Sequence, residues 1–436
     1  MSSSPSTIRV AIIGGGLAGA AVLRGLLRYP HIVVDMYECR PAFREEGPAL
    51  GFTTSTQDIL AAIDPDLQRC LDRAGAVLTT TETRLASGPH IGREIDINGL
   101  GERCKKNVDR QAFLNEMLRG MPPRMMHPGT RISSVTELGP GQGLMLHFAD
   151  GSQKKYDIVV GADGTHGFTR RLVLGSDEFL SNAYPTGFWR VSIKVPLRRA
   201  QRAMGSQYSD PRNPRQVTWI GDGTAMIHEL LDNSREAQIV VYGRTDEATE
   251  ENGASQSSWA RLFTPDEFQE IFSTNRVPMC HGMVDLIQSV YTVQMAAICQ
   301  LEHRPAPTFV SSNICLIGDS AHSMLPFQDA SVSIALEEAL ILSTLLGRLP
   351  SKEAIPAALQ AYDHVCRPRA EQAAESSAET GFLVTGRATG VGLDANLLQQ
   401  HLWHKYEFLL DGTTDERRTA ATMVMDQLMG VESGWA

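Results

Sequence analysis

Near its beginning the chain reads Ile8-Arg-Val-Ala-Ile-Ile-Gly-Gly-Gly-Leu-Ala-Gly19. The first half of this stretch, residues 8–13, is a nearly continuous apolar run, typical of a parallel strand that is buried on both faces. Residues 18–27 are rich in helix formers and contain no proline. A second strand-like run, residues 32–37, comes next. The order of these segments predicts a βαβ unit at the start of the chain.

The glycines of this stretch follow a G-x-G-x-x-G pattern between a strand and a helix. In that context the first glycine allows a tight turn, the second lets the backbone approach a pyrophosphate, and the third lets helix and strand pack closely. The helix N-terminus then offers amide groups and a positive dipole to the phosphates. The residues predicted to contact a dinucleotide in this turn are Gly14, Gly16, Leu17, Ala18 and Gly19.

Glu38 closes the second strand-like run, about 20 residues after the glycine pattern. A carboxylate at that point accepts hydrogen bonds from ribose hydroxyls and repels a 2′-phosphate. The pattern therefore predicts a tightly bound dinucleotide other than NADP, and by itself it leaves NAD and FAD open.

The composition is that of a globular protein, with 436 residues of which 42% are hydrophobic and 21% charged. That length corresponds to about three domains of average size. The formal net charge of −10 disfavours nucleic acid and anionic lipid as partners. Seven scattered cysteines without a C-x-x-C pair indicate reduced thiols and no metal site. Because we find no leader-like segment and no apolar run of about 20 residues, we expect a cytoplasmic protein without a membrane span.

The pattern changes along the chain in a way that predicts an α/β fold with an inserted domain. After residue 175, β-type segments separated by polar loops indicate a separate, mixed β-sheet domain. Residues 313–317 return to the buried-strand pattern, so a distant segment is expected to complete the first, Rossmann-like domain. The predicted boundaries are 1–175 for the first part of the nucleotide-binding domain, with an excursion toward the sheet domain near 76–100, then 176–304 for the sheet domain, 305–350 for the completing segment and 351–436 for a C-terminal helical region.

Two later strand ends carry an aspartate next to a glycine. The first lies in Asp157-Ile-Val-Val-Gly-Ala-Asp-Gly164 and the second in Cys315-Leu-Ile-Gly-Asp-Ser-Ala-His322, with Pro326 after it. Asp163 and Asp319 therefore follow buried strands, at the edge where open α/β sheets bind ligands. The alternative for each aspartate is that it caps the helix that follows.

Together with the glycine pattern, these motifs resemble the group A flavoprotein monooxygenases, the FAD-dependent aromatic hydroxylases that include salicylate and para-hydroxybenzoate hydroxylases. The resemblance implies an oxidoreductase that binds FAD and uses NAD(P)H as a transient co-substrate. In such a hydroxylase, O2 adds to the reduced flavin, and a C4a-hydroperoxide transfers one oxygen atom to an electron-rich, small aromatic substrate.

The resemblance also assigns residues to the cofactor. It implies that Asp319 contacts the ribityl chain of FAD, and that Asp163 and Gly164 serve FAD and NAD(P)H together. The residues that it adds to the glycine turn and Glu38 are Arg44, Arg110, Asp163, Gly164, Gly318, Asp319 and Pro326.

The chain departs from the family where a glycine-rich turn is expected to lead into a helix beside the flavin. It has Asp329, Ser331 and Ser333 at the expected glycines. Asp329 is interpreted either as a helix N-cap that points away, or as a carboxylate beside the ring or the substrate that accepts a proton or shifts the flavin potential. Impaired flavin binding is a third interpretation.

Two residues of the sheet domain are candidates for work on the substrate. Arg190, in Gly187-Phe-Trp-Arg190, resembles a family segment near the substrate, and its planar fork of donors suits a carboxylate or phenolate. The alternative is a surface arginine. His228 either faces the pocket or has a structural role. With Asp329, these two residues make up the predicted catalytic set.

Two other functions stay open at this point. One is a different FAD oxidoreductase on the same scaffold. The other is a catalytically weakened flavoprotein with a binding role, which the altered glycines around Asp329 suggest.

Overall fold

The computed structural model of the chain describes residues 7–95, 105–139, 141–245, 260–273, 275, 277–291, 295–410 and 413–430, so residues 96–100 of the predicted excursion lie outside the described residues. In chain order the described strands are β1 (Ile8–Ile13), β2 (Ile32–Glu38), β3 (Leu50–Phe52), β4 (Val77–Leu85), β5 (Lys105–Val108), β6 (Met126–Pro128), β7 (Ile132–Glu137), β8 (Leu144–Phe148), β9 (Gln153–Tyr156), β10 (Ile158–Gly161), β11 (Tyr184–Pro196), β12 (Arg215–Ile220), β13 (Thr224–Leu231), β14 (Glu236–Arg244), β15 (Ala260–Phe263), β16 (Met295–Glu302), β17 (Val310–Ser311) and β18 (Ile314–Leu316). The described helices are α1 (Leu17–Leu26), α2 (Thr54–Ile63), α3 (Pro65–Arg73), α4 (Arg110–Leu118), α5 (Thr169–Leu174), α6 (Glu178–Ser181), α7 (Leu197–Met204), α8 (Pro265–Ile271), α9 (Pro278–Val290), α10 (Asp319–His322), α11 (Ala330–Gly347), α12 (Ile355–Val384), α13 (Ala395–Leu410) and α14 (Thr414–Leu428).

Six of these strands form a sheet in the order β17-β18-β10-β1-β2-β6. β1 pairs in parallel with both β2 and β10, and β10 pairs in parallel with β18. Its central strands β1, β10 and β18 are almost wholly buried and come from segments that lie far apart in the chain. The predicted α/β class, with a Rossmann-like domain that distant segments complete, is confirmed.

Nine strands form a second sheet in the order β15-β16-β11-β14-β13-β12-β4-β5-β3. β4 runs parallel to β12, whereas the neighbouring pairs among β11–β16 are antiparallel. Three of its strands, β3, β4 and β5, precede the inserted segment in the chain. The sheet is therefore mixed, as the sequence predicts, and the first part of the chain contributes to it.

The two faces of the nine-stranded sheet differ in character. Residues paired across neighbouring strands point to the same face, so Arg190 and its partner Tyr242 share a face with the pair of Glu229 and Gln238. The opposite face is mostly apolar and packs beneath α7 and α9, with Glu82, Arg84 and Arg215 where β4 pairs with β12. The face that carries Arg190 is called the polar face below, and its defining residues are Lys105, Asn107, Arg190, Gln216, Glu229, Gln238 and Tyr242.

The C-terminal region is helical, as predicted, and its long helices pack on the domain that carries the glycine turn. α11 packs against α1 and α12, and α12 packs against α14. By length and composition α11 would suffice to cross a membrane, but 72% of this segment is buried inside the protein. The burial makes α11 a core helix of this domain.

The turn between β1 and α1 leaves no space for two β-carbons. Gly14 has φ +112°, and a β-carbon there would lie 2.1 Å from the carbonyl oxygen of Ala162. A β-carbon on Gly19 would lie 2.1 Å from the carbonyl oxygen of Gly14. By contrast, a β-carbon on Gly16 would meet only the Glu45 carboxylate, at 2.6 Å. Backbone atoms that cannot move therefore require glycine at positions 14 and 19.

We expect Gly19→Ala to destabilise the protein by about 2 kcal/mol or more, because rigid backbone blocks the added methyl group. Gly16→Ala is the matched control, since its methyl group meets a flexible side chain, and we expect a loss below about 1 kcal/mol. Thermal unfolding of the purified variants, each stripped of any bound cofactor, measures both losses. Equal losses would contradict the close approach of α1 to β1.

Candidate active site

Glu38 ends β2 beside the glycine turn. Its carboxylate accepts hydrogen bonds from the backbone N–H of Gly15 at 3.0 Å and from that of Arg40 at 2.8 Å. β2 runs parallel to the neighbouring β1, so the carboxylate lies at the carboxyl ends of these strands, where the sequence predicts the ribose-binding acid.

A second carboxylate, which the sequence analysis did not single out, reaches the first turn of α1. Glu45 Oε1 accepts the backbone N–H of Leu17 at 3.0 Å, and Glu45 Oε2 lies 3.1 Å from Arg110 Nη1. Arg110 also donates from Nε to the carbonyl oxygen of Pro48 at 3.1 Å. A helix N-terminus attracts anions, so a phosphate that binds at Leu17 would take the place of this carboxylate oxygen.

Asp163 holds the first residue of α5, although the N-cap residue of that helix is Phe168. Its carboxylate accepts the backbone N–H of Thr169 at 3.0 Å and also the Thr169 hydroxyl. Burial raises the pKa of the Asp163 carboxyl, and the hydrogen bonds from Thr169 act against that rise. Gly164 next to it has φ +77°, which glycine adopts without strain.

Asp319 begins α10 with an exposed carboxylate, directly after Gly318. Glu338 of α11 holds this loop, because its carboxylate accepts the Gly318 N–H at 2.9 Å and lies 2.8 Å from His322 Nε2. Burial lowers the pKa of His322, but the adjacent Glu338 outweighs this effect, so the pKa of His322 is raised overall. The buried pair thus fixes the loop that presents Asp319.

The three side chains at the expected glycines each have a partner. Asp329 precedes α11 in a left-handed conformation, with φ +54°, and accepts no hydrogen bond from the α11 amides. Its side chain therefore does not act as the N-cap, and its Oδ2 instead pairs with Lys105 Nζ at 2.7 Å. The two serines bond to other elements, Ser331 Oγ to Asp319 Oδ1 at 2.9 Å and Ser333 Oγ to Thr56 Oγ1 at 3.0 Å.

Arg190 lies partly buried on the polar face, next to Arg110. A β-carbon on Gly47 would lie 3.5 Å from both Arg190 Nη1 and Arg110 Nε, which places the two guanidinium groups close together. Arg190 Nε is buried and has no hydrogen-bond partner in the described part of the chain. Burial lowers the pKa of Arg190, as does Arg110, while Tyr242 acts in the opposite direction. This arrangement favours a bound anion.

Glu229 lies on the polar face and is held by amide groups. It accepts hydrogen bonds from Asn107 Nδ2, from Gln216 Nε2 at 2.8 Å and from Gln238 Nε2 at 2.7 Å. Burial raises the pKa of Glu229, and the Lys105 ammonium acts against that rise. No local motif in the sequence marks Glu229.

His228 lies on the opposite face of the nine-stranded sheet. It pairs with Val217 across β12 and β13, and Val217 belongs to the apolar cluster. Burial lowers the pKa of His228 to about 4, so the ring is neutral at physiological pH. The structure thus does not bring His228 together with Arg190. Of the remaining predicted residues, Arg44 is exposed on the loop after β2 and Pro326 is partly buried between α10 and α11.

Comparison with known proteins points to one family. Residues 7–377 match the family model described as the FAD binding domain. A 6-methylsalicylate 1-monooxygenase of Aspergillus terreus is 28% identical over 385 residues, which cover 85% of this chain and 81% of the relative. A salicylate hydroxylase of Pseudomonas putida is 28% identical over 429 residues, which cover 95% of each chain. Among solved structures, a salicylate hydroxylase substrate complex shares the fold, with a TM-score of 0.80 at 23% identity over 95% of this chain and 98% of the other.

We expect Glu338→Gln to destabilise the protein by about 1–3 kcal/mol at pH 6, because the charge-assisted bond to His322 is lost. The folded-state pKa of His322 is raised, so this stabilisation is complete below its unfolded-state value of about 6.5 and disappears as the pH rises through the folded-state value. The difference in unfolding temperature between wild type and variant should therefore shrink from pH 6 to pH 9. The exposed Glu375→Gln is the control, and a difference that grows with pH would contradict the pairing.

Proposed function

Because the chain belongs to the FAD binding domain family, we propose that it inserts one oxygen atom of O2 into a small aromatic acid or phenol, with NAD(P)H as the reductant. The observation that carries this proposal is Arg190, a partly buried guanidinium on the polar face whose Nε has no partner among the described residues. The family match confirms FAD as the cofactor, and with the relatives it confirms the resemblance to flavoprotein monooxygenases.

The residues around the β1–α1 turn fit FAD. A β-carbon at position 14 would collide with the Ala162 carbonyl, and one at position 16 would fill the space before the first turn of α1, so only glycines leave this backbone open. The α1 N-terminus would hold the pyrophosphate, Glu38 the ribose and Asp319 the ribityl chain, and Arg110 would contact the flavin. FAD, when bound, supplies the electron transfer and the oxygen activation.

Aromatic rings pack against the face of the nine-stranded sheet that carries Arg190 and would adjoin an aromatic substrate. The Arg244 guanidinium stacks on two of these rings, 5.8 Å from the Phe188 ring centre and 4.9 Å from that of Phe382. The Phe188 ring centre lies 5.1 Å from that of Phe327 and 5.4 Å from that of Phe382, and the Tyr242 and Phe327 centres are 5.1 Å apart. Such a cluster excludes water and offers edge and face contacts to a substrate ring.

The charged groups of the polar face would orient the substrate. Arg190 supplies a positive charge with a planar fork of donors, which suits a carboxylate or a phenolate. Burial raises the pKa of Tyr242 to about 12, although Arg190 acts against that rise. The Tyr242 hydroxyl therefore keeps its proton at neutral pH and can donate a hydrogen bond to the same anion.

The alternative of a weakened flavoprotein rested on the three altered glycine positions. The partners of Asp329, Ser331 and Ser333 on other elements indicate an ordered start of α11, which supports an enzyme. The cytoplasmic location and the lack of a nucleic-acid partner stay predictions.

Oxidation of NADH and NADPH by the purified protein tests the proposal directly. We expect flavin absorbance in the protein as isolated and faster nicotinamide oxidation with salicylate than with its neutral analogue salicylamide, because Arg190 favours the anion. Under ¹⁸O2, the product should gain one labelled oxygen atom, detected by mass spectrometry. If a panel of aromatic acids and phenols leaves nicotinamide oxidation unchanged and gives no product, the proposed reaction is wrong.

We expect Arg190→Lys to lower kcat/KM for an anionic aromatic substrate by about 10- to 100-fold, because a charge-assisted, forked contact is worth roughly 1.5–3 kcal/mol. FAD content should stay at the wild-type level, which absorbance of the purified protein measures. The matched control is Arg199→Lys. Arg199 lies on α7 and its Nη2 donates to Ser289 Oγ, so this variant should keep wild-type turnover. Wild-type turnover in Arg190→Lys would reject the role of the guanidinium.

A further inference from the structure

Asp329 and Lys105 form an ion pair that joins the start of α11 to the polar face. Lys105 Nζ lies 2.7 Å from Asp329 Oδ2, and the Lys105 side chain is 9% exposed. A β-carbon on Gly51 would lie 2.7 Å from Lys105 Nζ and 2.8 Å from Asp329 Oδ2. The backbone of β3 therefore packs directly against the pair.

The charge of Lys105 compensates an acidic surrounding. Asp329 is in direct contact with the ammonium, and the carboxyl group of Glu229 lies near enough to interact with both of these charges. Because three amide groups occupy the oxygens of Glu229, the direct partner of Lys105 is Asp329. Without Lys105, Asp329 would lose its ion-pair partner while the acidic Glu229 stays within interaction range.

We propose that Lys105 is a positioning residue that holds and neutralises Asp329 at the start of α11, and that the pair thereby sets the reduction potential of bound FAD. This inference rests on the proposed function, since it requires the flavin ring beside the start of α11, where Ser331 bonds to Asp319, the residue assigned to the ribityl chain. The N-terminus of this 18-residue helix is its positive end, which stabilises negative charge on a reduced ring. An uncompensated carboxylate at that end opposes the effect, and the Lys105 ammonium restores it.

The midpoint potential of bound FAD tests this inference in wild type, Lys105→Met, Asp329→Asn and the double variant. Lys105→Met leaves Asp329 uncompensated and should lower the potential, whereas Asp329→Asn leaves the ammonium unpaired and should raise it. The double variant should return close to the wild-type value. In each single variant we expect a tenfold change in the ratio of reduced to oxidised flavin, which equals about 30 mV for a two-electron couple.

Two further variants separate this effect from loss of structure. Lys106→Met removes the same charge from the next position of β5, where the side chain points away from Lys105 and pairs with Asp72, and it should leave the potential unchanged. Lys105→Arg keeps the charge and should keep the wild-type potential. FAD content is measured by absorbance in every sample whose potential is determined.

The outcomes distinguish this inference from the proposed function. A wild-type protein that retains FAD, with equal potentials in all variants, overturns the inference and leaves the proposed function standing. A wild-type protein that binds no FAD overturns the proposed function itself. If Lys105→Met does not fold, Asp329→Asn decides alone, and an unchanged potential in that variant overturns the inference.

Discussion

The carbonyl oxygen of Ala162 lies where residue 14 would carry a β-carbon, and this backbone contact brings the ends of β1 and β10 together. The Ala162 N–H also donates to the carbonyl oxygen of Ile13 at 2.7 Å, so the two strand ends have one fixed register. Gly318, after β18, would meet Ala18 of α1 at 3.1 Å if it carried a β-carbon. Three segments far apart in the chain therefore converge on the first turn of α1, and the cofactor site depends on these close backbone contacts.

Opposite charges pair in two places beside the polar face. Near the α1 N-terminus, Arg110 pairs with Glu45, whereas Nε of the neighbouring Arg190 has no hydrogen-bond partner among the described residues and could donate to a substrate anion. Near the start of α11, Lys105 and Asp329 cancel each other. A substrate would then meet Arg190 beside aromatic rings, two of which also stack with Arg244, and this positive surrounding suits an aromatic anion better than a cationic molecule.

The sequence predicts those parts of the site whose chemistry is local. The glycine spacing and Glu38 could be identified because a strand, a turn and a helix follow one another directly, and each residue type has a steric or charge requirement there. Asp329 could be identified as a departure for the same reason. By contrast, Lys105 lies 224 positions away from Asp329, and no local pattern relates the two residues.

The orientation of His228 was beyond sequence reasoning for a different reason. β13 is buried on nearly all its residues, so its sequence shows no alternation that would assign a face. Only the register with Val217 settles it, and a shift of one residue would exchange the two faces. Asp163 could be placed at a strand end, but only the contact with Thr169 shows that its carboxylate orders the loop.

Hydrogen–deuterium exchange tests most directly whether the three distant segments form one FAD site that opens on the polar face. It would be measured on protein stripped of FAD and on the same protein reloaded with FAD. We expect slower exchange on reloading in residues 14–19, 161–164 and 318–322 together, and also in residues 329–333 at the start of α11, with residues 217–219 unaffected apart from any global change. Protection confined to residues 14–19, with no change at the start of α11, would contradict this expectation.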